Sequence, residues 1–121
     1  MTAPDSRRPE ALPLHEALAW AVELGSRVAV FAEGLDRAES YLTDIEGIVD
    51  ENEVTRIVKV CGAKAIHFRS HGCISFHSTR SIPRGLSYDR LYVPAGVQHD
   101  VMERLAPLVA TSKDPAIVGY F

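Results

Sequence analysis

The sequence has little of what ties a chain to a membrane or to a disulfide framework. It contains two cysteines, one tryptophan and no apolar run long enough to span a bilayer. No signal peptide precedes Cys61 and Cys73, so we expect reduced thiols in a cytoplasmic protein without membrane contact. The net charge of −3 gives no general attraction for nucleic acid, although a local basic patch is compatible with it.

What is present is the composition of one ordinary globular domain. Of the 121 residues, 46% are hydrophobic and 24% are charged, which is enough apolar material for a single core. Residues 1–12 hold prolines, charges and few apolar groups. We therefore expect a flexible N-terminal arm over residues 1–12 and a single domain over residues 13–121.

The hydrophobic pattern predicts helices that alternate with strands. The run at 27–32 is almost continuously apolar, which is typical of a strand covered on both faces. Apolar residues recur at helical spacing before and after this run, and that order indicates an α/β fold. The predicted elements are helices at 13–24, 35–49 and 97–108 and strands at 27–32, 56–61, 66–69, 73–80, 89–93 and 116–121.

The stretch 66–80 has the alternation of a β-hairpin. We expect a three-residue turn at 70–72, with Gly72 in the left-handed conformation. The four large apolar side chains of the hairpin would then share one face. The facing pairs would be Phe68 with Ile74 and Ile66 with Phe76.

Three features follow one another along the chain and suggest a family. They are an Ala38-Glu39 pair, the Ile-x-Phe, Gly, Ile-x-Phe pattern of the hairpin, and a loop with Arg84-Gly85 before Ser87-Tyr88-Asp89. From about Leu14 onward, this order resembles the ATPase domain of tailed-phage terminase large subunits, the motors that pump DNA into capsids. The resemblance implies a small, mostly parallel sheet of truncated P-loop-ATPase type, with flanking helices and a β-hairpin insertion.

The catalytic parts that the resemblance implies are missing. No G-x-x-x-x-G-K-[ST] motif occurs, and residues 1–13 contain neither glycine nor lysine. The family's acidic pair, which holds magnesium, would follow residues 91–93, where this chain has Pro94-Ala95. ATP hydrolysis depends on positioning and charge at the phosphates, so we expect no ATPase activity, no catalytic residue, no metal and no cofactor.

The last strand is expected at an edge of the sheet. In the resembled fold, the phosphate-loop strand lies beside the strand at 116–121, and without it the strands at 116–121, 89–93 and 27–32 are still contiguous. An apolar, unpaired edge recruits a partner or must be covered. We therefore expect a protein partner, a second copy in a homodimer, or the N-terminal arm at this edge. The predicted contact residues are Ile117, Val118, Tyr120 and Phe121.

Two polar groups allow alternative interpretations. Four arginines around the hairpin and the following loop suit contact with phosphate or with an acidic partner, or else a solvated rim paired with carboxylates. These are Arg69, Arg80, Arg84 and Arg90. His67, Cys73 and His77 fall on one hairpin face, where a zinc site or a Cys–His nucleophile would need further groups that are not evident. The simpler interpretation is a partly exposed polar strand face.

The resulting prediction is a non-catalytic phage or prophage protein, derived from a terminase-like ATPase core, that acts by protein–protein interaction in the bacterial host cytoplasm. Self-association, regulation of packaging and binding of a host factor all fit. The alternative is one piece of a split ATP-dependent DNA-packaging terminase whose phosphate loop lies on another chain. A decaying gene fragment and single-chain nucleic-acid binding are weaker alternatives, the latter because no aromatic stacking platform stands out.

Overall fold

The computed structural model describes residues 13–60, 64–83 and 86–120, and it has the predicted α/β architecture. Within these ranges three helices flank one mixed, mostly parallel sheet of six strands, and none of the helices is long and apolar enough to cross a membrane. The elements are α1 (Leu14–Leu24), β1 (Arg27–Ala32), α2 (Leu35–Ile48), β2 (Val54–Val58), β3 (Lys64–Phe68), β4 (Cys73–Ser78), β5 (Arg90–Pro94), α3 (His99–Leu105) and β6 (Ala116–Tyr120), with short 3₁₀ helices at Glu51–Glu53 and Ala106–Val109. The predicted arm at 1–12 lies outside the described residues, as do Cys61, Arg84 and Phe121.

The strands are arranged in the order β2-β3-β4-β1-β5-β6. Strands β4, β1, β5 and β6 run parallel to one another, whereas β3 is antiparallel to both of its neighbours. The predicted contiguity of the strands at 116–121, 89–93 and 27–32 is confirmed as the neighbouring set β6-β5-β1. The hairpin therefore extends the sheet on one side of β1, and the two C-terminal strands extend it on the other.

Strand β1 is the buried centre of the sheet. It pairs with β4 along one edge and with β5 along the other, and residues 28–32 are fully buried. Helices α1 and α2 cover one face, where Leu42 and Val30 belong to the same apolar cluster. Helix α3 and the 3₁₀ helix after it cover the other face, where Leu105 and Phe31 share a second cluster. The strand is thus covered on both faces, as its apolar run predicted.

The helix ends follow local sequence signals. Helix α1 ends at Gly25, which adopts the left-handed conformation with φ of 66°, as expected for a helix-terminating glycine. Helix α3 ends at Leu105 and tightens into a 3₁₀ turn with Pro107 near its start. Proline has no backbone N–H to continue the α-helical hydrogen bonds, which accounts for the end of the α-helix before Pro107.

The hairpin has the predicted apolar face but not the predicted turn. The N–H of Phe68 donates to the carbonyl of Gly72, and the N–H of His71 donates to the carbonyl of Phe68, both at 3.0 Å. The loop is therefore 69–71, and the left-handed residue is His71, with φ of 74°, rather than Gly72. Ile66 faces Ile74 instead of Phe76. The predicted turn was wrong, but the pairing moved by an even number of residues, so the apolar side chains still share a face.

Gly72 is required by packing rather than by its own backbone conformation. A Cβ at this position would lie 2.1 Å from the carbonyl oxygen of Ala21 and 2.9 Å from that of Ser26. The hydroxyl of Ser70 donates to the same Ala21 carbonyl at 2.6 Å, and the N–H of Cys73 donates to the Ser26 carbonyl at 3.2 Å. The end of α1 and the hairpin loop are thus interlocked, with no space for a side chain between them.

Gly72→Ala tests this contact. We expect the free energy of unfolding to fall by roughly 3 kcal/mol, because the obstructing atoms belong to the backbone and cannot rotate away. Gly47→Ala is the matched control, since Gly47 lies in α2 with nothing within 4 Å of an added Cβ. The control should gain about 0.5–1 kcal/mol from better helix propensity. Urea titration measures both changes, and a Gly72→Ala protein as stable as the original chain would contradict the packing argument.

Candidate functional site

Strand β6 forms one end of the sheet, where the sequence predicted an edge at 116–121. It pairs in parallel with β5 along its whole length, and no described strand lies on its other side. Ile117 packs into the cluster beneath α3, whereas Val118 and Tyr120 pack into the cluster beneath α1 and α2. The side chains of β6 are therefore partly anchored, while one row of its backbone groups faces away from the sheet.

Tyr120 holds the end of β6 in place. Its side chain is buried, its hydroxyl donates to the carbonyl oxygen of Phe31 in β1, and its ring meets Tyr41 edge to face with centroids 5.7 Å apart. Burial raises the pKa of the Tyr120 hydroxyl well above its ordinary value, and the hydrogen bond with Tyr41 acts in the same direction. The hydroxyl therefore remains a neutral donor at physiological pH, and β6 is tied to the centre of the sheet.

The backbone groups on the open side of β6 belong to Ile117 and Gly119. The carbonyl of Tyr120 accepts from the N–H of Ala95 at 2.6 Å, so the backbone groups of Tyr120 point toward the β5 side. Successive residues of a strand direct these groups to alternate sides, so Val118 points the same way as Tyr120. Ile117 and Gly119 then direct their N–H and C=O groups outward, where a further strand can bind them.

The two ends of the sheet differ in their protection. Strand β2 exposes Thr55 and Arg56, and its register with β3 shifts between Val54 and Arg56. Edge charges and irregular pairing are two devices that keep a sheet from joining another strand. Residues 115–120 contain no charged side chain, and the pairing of β6 with β5 is regular. Of the two edges, β6 is the one with the chemistry for strand addition.

Three of the four predicted arginines, Arg69, Arg80 and Arg90, lie within the described residues, and they do not form one cluster. Arg69 lies in the hairpin loop, where β4 begins, and its Nε donates to the carbonyl of Asn52. Arg80 is exposed just beyond the carboxyl end of β4, at the opposite end of that strand, and Arg90 begins β5. Arg84 lies outside the described residues. The fold therefore does not assemble these side chains into a single phosphate or acidic-partner site.

Arg90 belongs instead to a polar network between β5 and α1. Its guanidinium donates to Glu16 Oε1 at 2.8 Å and to the Tyr92 hydroxyl at 2.9 Å, and it lies 4.5 Å from the ring centroid of Trp20. The Tyr92 hydroxyl donates to the same Glu16 oxygen, and this bond is the largest cause of the lowered pKa of the Glu16 carboxyl. Sequence reasoning missed this network, because its members come from elements far apart in the chain and share no spacing.

His67, Cys73 and His77 lie on one face of the hairpin, as predicted. His77 is buried, its ring centroid lies 5.2 Å from that of Phe31, and its Nε2 lies 3.2 Å from the Tyr88 hydroxyl. Burial lowers the pKa of His77, so the ring is neutral at pH 7. Over the residues that the structure describes, no three His, Cys, Asp or Glu side chains lie close enough together to hold a metal ion.

A crevice lies at the carboxyl ends of the parallel strands. Its volume is about 440 Å³, and its lining includes Glu33 after β1, Arg80 after β4 and Gln98 after β5. The chain leaves β1 through α2 on one face and leaves β5 through α3 on the other, so this is the point where the winding changes direction. Strand β5 ends at Pro94, Ala95 follows it, and the nearest following acid, Asp100, lies in the first turn of α3.

Comparison with protein-family models, curated proteins and solved structures found no match to this chain. The geometry of the described residues therefore carries the functional argument. Two features stand out in it: the crevice, with charges of both signs, and the outward backbone groups of Ile117 and Gly119 on β6. Only the second is a row of donors and acceptors with a defined direction and spacing, an arrangement to which an extended strand is complementary.

The buried imidazole of His77 makes stability depend on pH. The folded state holds His77 neutral with a lowered pKa, so the unfolded state binds more protons as the pH falls below the ordinary histidine value of 6.5. The free energy of unfolding should therefore fall as the pH is lowered through this range. His67 adds to the effect, because burial and the nearby Arg56 charge lower its pKa too.

His77→Gln should weaken that pH dependence, as measured by urea unfolding at pH 7.5 and pH 5.5. The control is His15→Gln, the same substitution at an exposed position on α1. An equal loss of stability on acidification in the original chain and in His77→Gln would show that His77 does not titrate as the burial argument requires.

Proposed function

We propose that this chain is a non-catalytic protein-interaction module that acts by pairing a strand with β6. We further propose a phage or prophage origin from a terminase-like ATPase core, in keeping with the resemblance in the order of its motifs. In this role the module binds itself or a protein partner, and regulation of DNA packaging and binding of a host factor are the two biological settings that the resemblance favours.

The observation that carries this proposal is the contrast between the two edges of the sheet. Strand β2 has exposed charge and a register shift, whereas β6 is uncharged, regular and tied to the core by Tyr120. An edge that is firmly held and chemically open binds a strand with little loss of conformational entropy, because its backbone is already ordered. The main-chain bonds supply affinity, and the side chains of Ile117 and Val118 supply selectivity.

The non-catalytic part of the proposal is supported by the residues at the carboxyl ends of the strands. Phosphoryl transfer needs a phosphate cradle, a lysine and metal-holding carboxylates. The sequence has no phosphate-loop motif, and Pro94-Ala95 stands where the resembled family has its acidic pair. Among the described residues, the crevice at this position is lined by charges of both signs, including Glu33, Asp100 and Arg80, and by no lysine or phosphate loop.

The second candidate is one piece of a split DNA-packaging terminase. The position of β6 favours it as well, because a separate chain that carries a phosphate loop would add its strand beside β6, in parallel. This alternative requires that the second chain also replace the acids absent at Pro94-Ala95. The two candidates use the same edge and exclude each other. A homodimer formed through β6 would block the parallel strand that the split enzyme requires there.

The β6 edge can be tested with Ile117→Lys combined with Val118→Glu. We expect the original chain to form a defined assembly and the double variant to be a monomer, because charges on an edge strand prevent strand addition. The measurement is solution mass by light scattering. Far-ultraviolet circular dichroism of the variant shows in parallel that its fold is retained.

Strand β2 provides a matched control, since it contains the same dipeptide as Ile57-Val58 with similar partial burial. Ile57→Lys combined with Val58→Glu should leave the assembly intact. A monomeric original chain, or an assembly that survives the β6 variant and dissociates in the β2 variant, would show that β6 is not the interaction edge.

A further inference from the structure

We infer that the partner of β6 is a second copy of this chain, paired antiparallel about a twofold axis at Val118. This inference rests on the proposed function and adds the identity of the partner and the register. Strand β6 would lie beside its own symmetry mate, so that two six-stranded sheets join into one continuous sheet. Both the backbone groups and the side chains of β6 favour this pairing.

The outward backbone groups of β6 match those of a second copy in one antiparallel register. The bond from the N–H of Ala95 to the carbonyl of Tyr120 shows that Tyr120 directs its backbone groups toward β5. Because successive residues alternate, Ile117 and Gly119 direct their N–H and C=O groups outward. In an antiparallel pair centred on Val118, Ile117 of each copy lies opposite Gly119 of the other. Both of these are outward-facing residues, so each pair exchanges two N–H···O bonds and every outward group of 117 and 119 is satisfied.

Among the described residues, the neighbouring registers satisfy fewer backbone N–H and C=O groups. A pair centred on Ile117 places Gly119 opposite Pro115, and proline has no N–H to donate. A pair centred on Gly119 places Ile117 opposite position 121, which lies outside the described residues. A register shifted by a single residue would set outward groups against inward ones and form no ladder. Over Ala116–Tyr120, the register centred on Val118 is therefore the one in which each outward-facing residue lies opposite another outward-facing residue.

The side chains of Ala-Ile-Val-Gly-Tyr are complementary in size to those of a second copy in the same register. In the register centred on Val118, each large side chain lies opposite a small residue: Ile117 faces Gly119, and Tyr120 faces Ala116. Val118 faces itself. Large residues that alternate with small ones across an interface interdigitate without clashes. Because Ile117 packs on one face of the sheet and Tyr120 on the other, this complementarity holds on both faces.

Cysteine cross-linking tests the register directly. The variant is Val118→Cys in a Cys61→Ser background, which leaves buried Cys73 as the only native thiol. Opposed residues of a non-hydrogen-bonded antiparallel pair have Cα atoms about 4.5 Å apart, within the range that a disulfide spans. Oxidised glutathione should therefore convert most of the protein to a covalent dimer, seen by non-reducing electrophoresis. The control is Ala116→Cys, whose two copies would lie about 13 Å apart and should not cross-link.

The outcomes separate this inference from the proposed function. If Val118→Cys cross-links at least tenfold more than Ala116→Cys, the twofold register is supported. If the assembly dissociates on the Ile117→Lys and Val118→Glu change but neither cysteine variant cross-links, β6 is the interaction edge and the register or the partner inferred here is wrong. If the cysteine variants cross-link equally, the inference is also overturned, because no fixed register then exists. If the assembly is insensitive to the β6 variant, the proposed function itself fails.

Discussion

The complete burial of β1 is the constraint on which the rest of the structure depends. Its apolar residues 28–32 have no exposed surface, and a strand buried in this way needs backbone partners on both edges and cover on both faces. Strands β4 and β5 provide the partners, and the helices provide the cover. Since β1 takes the interior of the sheet, the strands added last on either side, β2 and β6, become its edges.

Each edge then has a different chemical character. Strand β2 enters through an antiparallel hairpin and has exposed polar side chains and irregular pairing, whereas β6 returns from α3 in parallel and has neither. A regular uncharged edge is a hazard for a protein unless something binds it. The hazard is uncontrolled pairing with strands of other chains. In the proposed module, the backbone groups that would allow such pairing are the binding site, so the interaction requires no cavity and no bound group.

The polar side chains inside this fold mostly join its layers. Arg90 and Tyr92 bind Glu16 and so attach α1 to β5, while Tyr120 reaches across the sheet to β1. His77 meets Tyr88 between β4 and the loop that precedes β5. These residue types resemble ligand contacts when only the sequence is known. Their hydrogen bonds show that they are engaged with one another within the fold.

The sequence by itself determined the element types, the α/β class and the apolar face of the hairpin, because these follow from periodicities that are local to each segment. It also predicted that 116–121 would be the edge, through the order of elements in a resembled fold. Only the tertiary structure decided the hairpin turn. Gly72 is required because a side chain there would collide with the carbonyl of Ala21 in α1, and not because of its own φ angle. The tertiary structure also placed Arg69 and Arg80 at opposite ends of β4 and bound Arg90 to Glu16. Contacts between remote segments depend on how the layers pack, and no local spacing encodes that packing.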